Sequence, residues 1–311
     1  MWHRSEWDGG YRCLYLPIDV IGFDSNIIRS GVRYRKRTCG SHRTDLGYER
    51  LRWLVQGLAS MRTIAYNVYG ATGYPEPTHA RDGAIADDLA TELGAQDAEV
   101  LSFSEAPPLE VVESIGAELG METAFFPSRG NWPGAVFSVY PISSAAPLHA
   151  DLPDLDDELL TRHAGRAVLE APFGELVVYS IHLYPKADAH DRRLREIGRI
   201  RDRIETDVAS DRRVLLQGDL NHPPTATEYD EWRLLGLTDT YVAAGIGPSK
   251  TIKAFDPDRR IDYIWADGSL TEQLVEAQVI QKAPFGSGDP NNPLPDRFLS
   301  DHLPVSARFE L

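Results

Sequence analysis

From Met61 onward the chain is punctuated by short β-branched and aromatic runs, and these constrain its fold more than any other feature. RTIAYN, AEVLSFS, GAVFSVYPI, RAVLEA, ELVVYSIHLY, RVLLQGD, IDYIWA, AQVI and LPVSARFEL each read as a strand, with turn residues between them. Helical periodicity is confined to four stretches, 79–94, 108–119, 188–209 and 226–235. In the third, Leu194, Ile197, Ile204 and Val208 share one face while charged residues fill the other. Pro107 and Pro108 suit the start of the second and Gly120 its end. Strands outnumber helices about two to one, which disfavours pure βαβ winding and fits two packed sheets with helices outside. Segments 143–158 and 284–298, rich in Pro, Gly and Asp, are predicted to be long surface loops.

Charge divides the chain at about the same point. Residues 1–60 carry ten Lys/Arg against six Asp/Glu, whereas residues 61–311 carry 22 against 41, a net charge of −19. The first segment shows little sustained period and lacks the order of a signal peptide. It is predicted to be a poorly structured extension, or sequence upstream of a true start at Met61, with residues 61–311 as the folded domain. Cys13 and Cys39 imply neither a disulfide framework nor metal-ligand spacing.

Of the 22 basic residues after Met61 only Lys186, Lys250, Lys253 and Lys282 are lysine. A carboxylate-rich, lysine-poor surface suits concentrated salt, where screening removes self-repulsion, so a halophilic source is expected. In dilute salt the same charge opposes loose binding to phosphate backbones. No apolar run is long enough to span a bilayer. Stable membrane insertion is therefore not expected, and the chain is expected to be cytoplasmic. No protein partner is evident.

Polar residues able to do chemistry recur at the edges of the apolar runs. Asn67 ends RTIAYN, Glu105 ends AEVLSFSE, His182 lies in YSIHLYP, and Asp219 and Asn221 follow RVLLQG. Asp262 opens the run in RIDYIW, and Ser300, Asp301 and His302 precede LPVSARF. Each has an ordinary structural reading: Asn67 closing a turn, Glu105 capping the helix near Pro107, His182 a satisfied core histidine, Asp219 and Asn221 a strand-ending turn. Their common position at strand ends, where α/β enzymes place their chemistry, is the alternative.

In that order, and with GDLN, SDHLPV and RIDYIW as its sharpest segments, residues 62–309 resemble the endonuclease/exonuclease/phosphatase superfamily. The resemblance implies an α+β fold, a four-layer α/β/β/α sandwich of two mixed sheets with the site at one end. It also implies a hydrolase that cleaves phosphate esters by metal-assisted in-line attack of water, here a nuclease-like phosphodiesterase. Alternatives within the same fold are a phosphomonoesterase, a sphingomyelinase-like lipid phosphodiesterase and a catalytically silent binding module. Such chemistry needs a cation against negative charge, a group to hold the water, and donors for the phosphoryl oxygens. Hard oxygen donors without thiolates point to Mg²⁺, with Mn²⁺ as a substitute. Asn67, Glu105 and Asp301 are the expected metal-side residues. Asp219 would hold the water, and Asn221 would donate to a phosphoryl oxygen if strand alternation persists. The resemblance assigns Asp262 to fix the tautomer of His302 and puts His182 against the phosphate or leaving group. The expected substrate is a phosphate ester, with nucleic acid among the options.

Three departures stand out. Ser104 occupies the position where relatives usually carry Gln before the metal-binding Glu, Tyr69 stands where abasic-site endonucleases have Asp, and the inositol phosphatase motif is absent at RRIDYIW. His222 is expected to face away from Asn221 and is not assigned a role. Arg260 reads as a surface charge in preference to a brace for Asp262, and Trp132 reads equally as packing or as a wall of the substrate entrance.

Overall fold

The computed structural model describes residues 60–75, 82–152, 154–210, 212–287 and 297–311. The predicted extension, all but Ser60, lies outside the described residues, as do parts of the first predicted helix and of the 284–298 loop.

In chain order the elements are β1 (Ser60–Asn67), α1 (Ala86–Gly94), β2 (Val100–Ser104), α2 (Leu109–Leu119), β3 (Glu122–Phe126), β4 (Gly134–Ser138), β5 (Ile142–Pro147), β6 (Ala164–Ala171) and β7 (Gly174–Ile181). There follow α3 (His190–Val208), β8 (Arg213–Asp219), α4 (Thr227–Leu234), β9 (Thr238–Asp239), α5 (Thr240–Ala244), β10 (Gly245–Ile246), β11 (Asp262–Ala266), α6 (Gly268–Thr271), β12 (Leu274–Val279) and β13 (Val305–Glu310). The strands form two mixed sheets, ordered β10-β12-β13-β1-β2-β4-β3 and β5-β6-β7-β8-β11-β9.

Three apolar layers follow from strand alternation. Ala65, Phe126, Val136, Val178, Leu215, Ile264 and Phe309 fill the space between the sheets. Ile64, Tyr66, Leu101 and Phe103 point the other way, onto Leu89 and Leu93 of α1 and Val112 and Ile115 of α2. On the second sheet Val177, Tyr179, Val214 and Leu216 meet Ile197, Ile200 and Ile204 of α3 and Trp232 of α4. At about 1.5–3 kcal/mol for each fully buried side chain of this size, these layers supply the main force holding the sandwich together. The architecture is the expected α/β/β/α sandwich.

Several predicted elements change. The first helix begins at Ala86, since Gly83 takes a left-handed φ of +76° just before it. The segment 143–158 is not wholly loop: β5 opens it as an exposed edge strand on β6, and its small, polar side chains suit a face with little to bury. On α3 the buried face contains Arg193, Glu196 and Asp207 beside the isoleucines, while Leu194 is only half-buried. Those charges are buried because each has fixed partners: Arg193 on Glu228 at 2.7 Å, Glu196 on the Leu160 and Tyr184 N–H groups, and Asp207 on Arg166 at 2.6 Å. Gly120 closes α2 at φ +67°, as expected.

Candidate active site

Six chain segments deliver polar side chains to one end of the sandwich. Asn67 ends β1, Glu105 follows β2, His182 follows β7 and Asp219 ends β8. Asp262 begins the antiparallel neighbour β11, directly opposite Asp219, and residues 300–302 lead into β13. Parallel pairing of β1 with β2 and of β7 with β8 puts their C-terminal ends side by side. A buried polar seam between the sheets leads toward this end, with Thr63 donating to Gln217 at 2.8 Å and Ser102 to Ser180 at 2.7 Å.

Strand β8 runs through Gly218 to Asp219. Gly218 has φ +139°, and a Cβ on it would lie 2.1 Å from the Ile181 carbonyl oxygen. Only glycine lets β8 come this close to β7, and Asp219 is set by that approach.

Asp219 is 2% exposed. Its Oδ2 accepts the Asn67 amide N–H at 3.1 Å and lies 3.6 Å from His182 Nε2 and 3.8 Å from His302 Nε2. The Nδ1 of His302 points to both Asp262 oxygens, at 3.0 and 3.2 Å. Asp262 thus fixes the His302 tautomer and leaves Nε2 facing Asp219. The His302 backbone N–H is held by Ser300 Oγ, which itself donates to the Asn67 carbonyl at 2.6 Å. Ser104, in the place of the usual Gln, accepts the Asp219 backbone N–H at 3.4 Å.

The electrostatics match this crowding. Burial raises the Asp219 carboxyl to about 7, with Asp262 and Glu105 adding to the rise and His302 and Asn67 opposing it. For His302, burial alone would favour the neutral ring, but Asp262 and Asp219 outweigh it and hold the imidazole well above its ordinary value. The site therefore sets His302 between two acidic side chains that favour its charged form.

The expected residues divide into groups. Asn67, His182, Asp219, Asp262 and His302 meet directly. The Glu105 charge reaches Asp219 and the Asp301 charge reaches His302. Asn221 meets Asp219 through its backbone N–H at 3.1 Å, but strand alternation does not persist to it. Its φ is +53° and its side-chain amide donates to the Leu183 carbonyl at 3.0 Å, which leaves one amide N–H for other use. Glu105 does not cap the helix near Pro107, for α2 has no side-chain cap; it sits instead in the left-handed region at φ +53°. Asn67 does close a turn as well, its Oδ1 accepting the Tyr69 N–H at 3.1 Å.

Among the described residues one group of His and Asp could close on a metal ion: atoms of Asp219, Asp262 and His302 all lie within 4.8 Å of one another. This differs from the Asn67, Glu105 and Asp301 set. His222 lies outside the site as expected, buried, accepting the Trp232 N–H at 3.0 Å and lowered to about 4 by burial. Arg260 is a correction. It is buried, not a surface charge, and it pairs with Asp239 at 2.5 Å in place of Asp262. Trp132 lies under the Arg162 guanidinium, 3.6 Å from its ring centroid. Sequence reasoning missed His163, fully buried behind His182, which takes the His182 N–H on its carbonyl and contacts Ser180 Oγ at 2.9 Å. The polar interruptions Ser102, Ser180 and Gln217 in apolar strands were the available signal.

Solved structures share this fold. A functionally unknown conserved protein from Enterococcus faecalis V583 superposes with a TM-score of 0.64 at 17% identity, over 81% of this chain and all of that one. A Bacteroides thetaiotaomicron VPI-5482 mannosyl-6-phosphatase gives 0.60 at 17%, over 79% and 98%, and truncated Caenorhabditis elegans TDP2 gives 0.57 at 14%, over 81% and 98%. A sequence model of the endonuclease/exonuclease/phosphatase family matches residues 64–302, which takes in every residue of the cluster around Asp219. The chain belongs to the endonuclease/exonuclease/phosphatase family.

Proposed function

We propose that this chain is a divalent-metal-dependent phosphoesterase that favours phosphodiesters. The observation that carries the reading is Asp219: a buried carboxyl raised to about 7 and faced by two imidazoles within 4 Å. A carboxylate with that value can hold a water and take its proton near neutral pH. His302, kept cationic by Asp262, supplies charge and an N–H to the phosphoryl oxygens, and His182 offers a second imidazole beside the same carboxylate. The remaining amide N–H of Asn221 is a further donor.

The donor set fits a hard cation at Asn67, Glu105 and Asp301. Asn67 turns its Nδ2 to Asp219, so Oδ1 is directed elsewhere with one lone pair used by Tyr69. In the alternative group both Asp262 oxygens are engaged by His302, and the ion competes with the proton that His302 holds. When bound, Mg²⁺ or Mn²⁺ supplies positive charge against the phosphoryl oxygens.

The test is hydrolysis of bis-p-nitrophenyl phosphate and of the p-nitrophenyl monoester by the full chain, with Mg²⁺ or EDTA, in low and high KCl. Mg²⁺-dependent turnover, faster on the diester, supports the reading. No turnover by folded protein in any condition contradicts it. Activity retained in high KCl supports the proposed halophilic source, and maximal stability at low ionic strength opposes it.

A further inference from the structure

Three aromatic side chains form a row along one rim of the site. Tyr69, two residues beyond Asn67, meets the ring of Tyr74 edge-on, with centroids 5.9 Å apart and planes at 87°. Tyr74 in turn lies parallel to Phe255, at 6.1 Å and 6°. Both ends of the row are tied to the site by backbone. Tyr69 donates to the Asn67 side chain at 3.1 Å. Tyr74 exchanges two 2.8 Å hydrogen bonds with Phe298, two residues before Ser300, and Ala254, next to Phe255, donates to the Asp301 carbonyl at 2.8 Å.

These rings are not core. None belongs to the three buried apolar layers, and Phe255 is 41% exposed, the one aromatic among the exposed large hydrophobic residues of the described chain. A ring at that exposure, one residue from a backbone bond to Asp301, offers apolar area for a ligand to cover. Charge narrows what that could be. A domain of net charge −19 gains little from a phosphate backbone, whereas ring stacking does not depend on charge and is not screened by salt.

We propose that Tyr74 and Phe255 form a stacking platform for a planar ring carried by the substrate next to its phosphate, a nucleobase or an aryl ester group. The proposal rests on the phosphoesterase reading and names the substrate class for it. Phe255 acts here as a specificity-determining residue.

The experiment titrates the full chain, in Mg²⁺, with three phosphonates that cannot be hydrolysed: methylphosphonate, benzylphosphonate and the 5′-phosphonate analogue of thymidine monophosphate. At least one ring-bearing ligand is expected to bind about tenfold more tightly than methylphosphonate, and which one identifies the ring as aryl or nucleobase. Phe255→Ala is expected to bring that gap to within about threefold, and Phe255→Trp to restore it. Equal affinities, a gap that survives Phe255→Ala, or no binding of either ring-bearing ligand overturns the platform. Hydrolysis of bis-p-nitrophenyl phosphate by the same preparations is the separate readout. Turnover without a ring gap sinks only the platform, and a ring gap without turnover sinks only the esterase reading.

Discussion

Asp207 and Asp219 are the same residue type, both almost fully buried on the second sheet's side of the molecule, yet their surroundings drive them in opposite directions. Asp207, on α3, is pushed up by burial but pulled down further by Arg166 and Tyr179, with Arg203 and Arg212 close by, and ends below the ordinary carboxylate range. Its partners hold it at 2.5–3.0 Å. Asp219 accepts two N–H groups, from the Asn67 side chain and the Asn221 backbone, both at 3.1 Å, has no arginine on it among the described residues, keeps its imidazoles at 3.6 and 3.8 Å, faces another carboxylate, and ends at about 7. One buried carboxylate is held by arginine and the other has no described arginine against it, and that contrast is what the proposed role of Asp219 rests on.

The largest effect expected from this contrast is on turnover. Asp219→Ala should lower kcat by at least about 10³-fold in the diester assay, because it removes the group proposed to hold and deprotonate water. Its counterpart Asp207→Ala should cost about 3–5 kcal/mol in urea unfolding, since Arg166 is then left buried without its partner. Activity per folded molecule should stay within about threefold of the parent. Asp262→Asn should sharpen the picture by lowering kcat about 10²-fold with little loss of stability, since it weakens the charged form of His302. A change in stability alone would move Asp262 to the structural side of the comparison.

The titration of Asp219 has a definite sign. A carboxyl raised to about 7 is protonated below that value, so kcat/KM should rise with pH by about tenfold per unit on the acid limb. The midpoint should sit at or somewhat below about 7 and above the ordinary carboxylate range, because a bound cation favours the carboxylate while burial opposes it. A flat profile from pH 5 to 7 would contradict Asp219 as the base. The smallest effect is on the structural cluster: Tyr179→Phe removes a hydroxyl donor to Asp207 and should cost about 1 kcal/mol with activity unchanged.

The same contrast explains what could be read from the sequence. The strand ends that carry Asn67, Asp219, Asp262 and His302 were legible because apolar runs stop abruptly at residues that turns alone do not require. GDLN and SDHLPV then ordered them. The two-sheet architecture was legible from β-branched runs outnumbering helices. Strand β5 was not, because ISSAAP is an exposed edge strand whose composition matches a loop. Buried Arg193, Glu196, Asp207 and Arg260 were missed for one reason: local periodicity assigns a charge to the surface, and only tertiary partners such as Glu228 and Asp239 reverse that. The geometry of Asn221 was lost to a left-handed turn, which strand alternation cannot anticipate. The aromatic row at the rim joins residues nearly 190 apart in sequence and had no local signal.

The central claim, that Asp219 is held for chemistry at the expense of stability while Asp207 is held for stability, is tested most directly by thermal unfolding of Asp219→Asn and Asp207→Asn at pH 8. The account expects opposite signs: Tm unchanged or raised for Asp219→Asn, and lowered by several degrees for Asp207→Asn, at roughly 2–4 °C per kcal/mol for a domain of this size. Equal losses in the two variants would contradict it, because Asp219 would then be as much a part of the scaffold as Asp207.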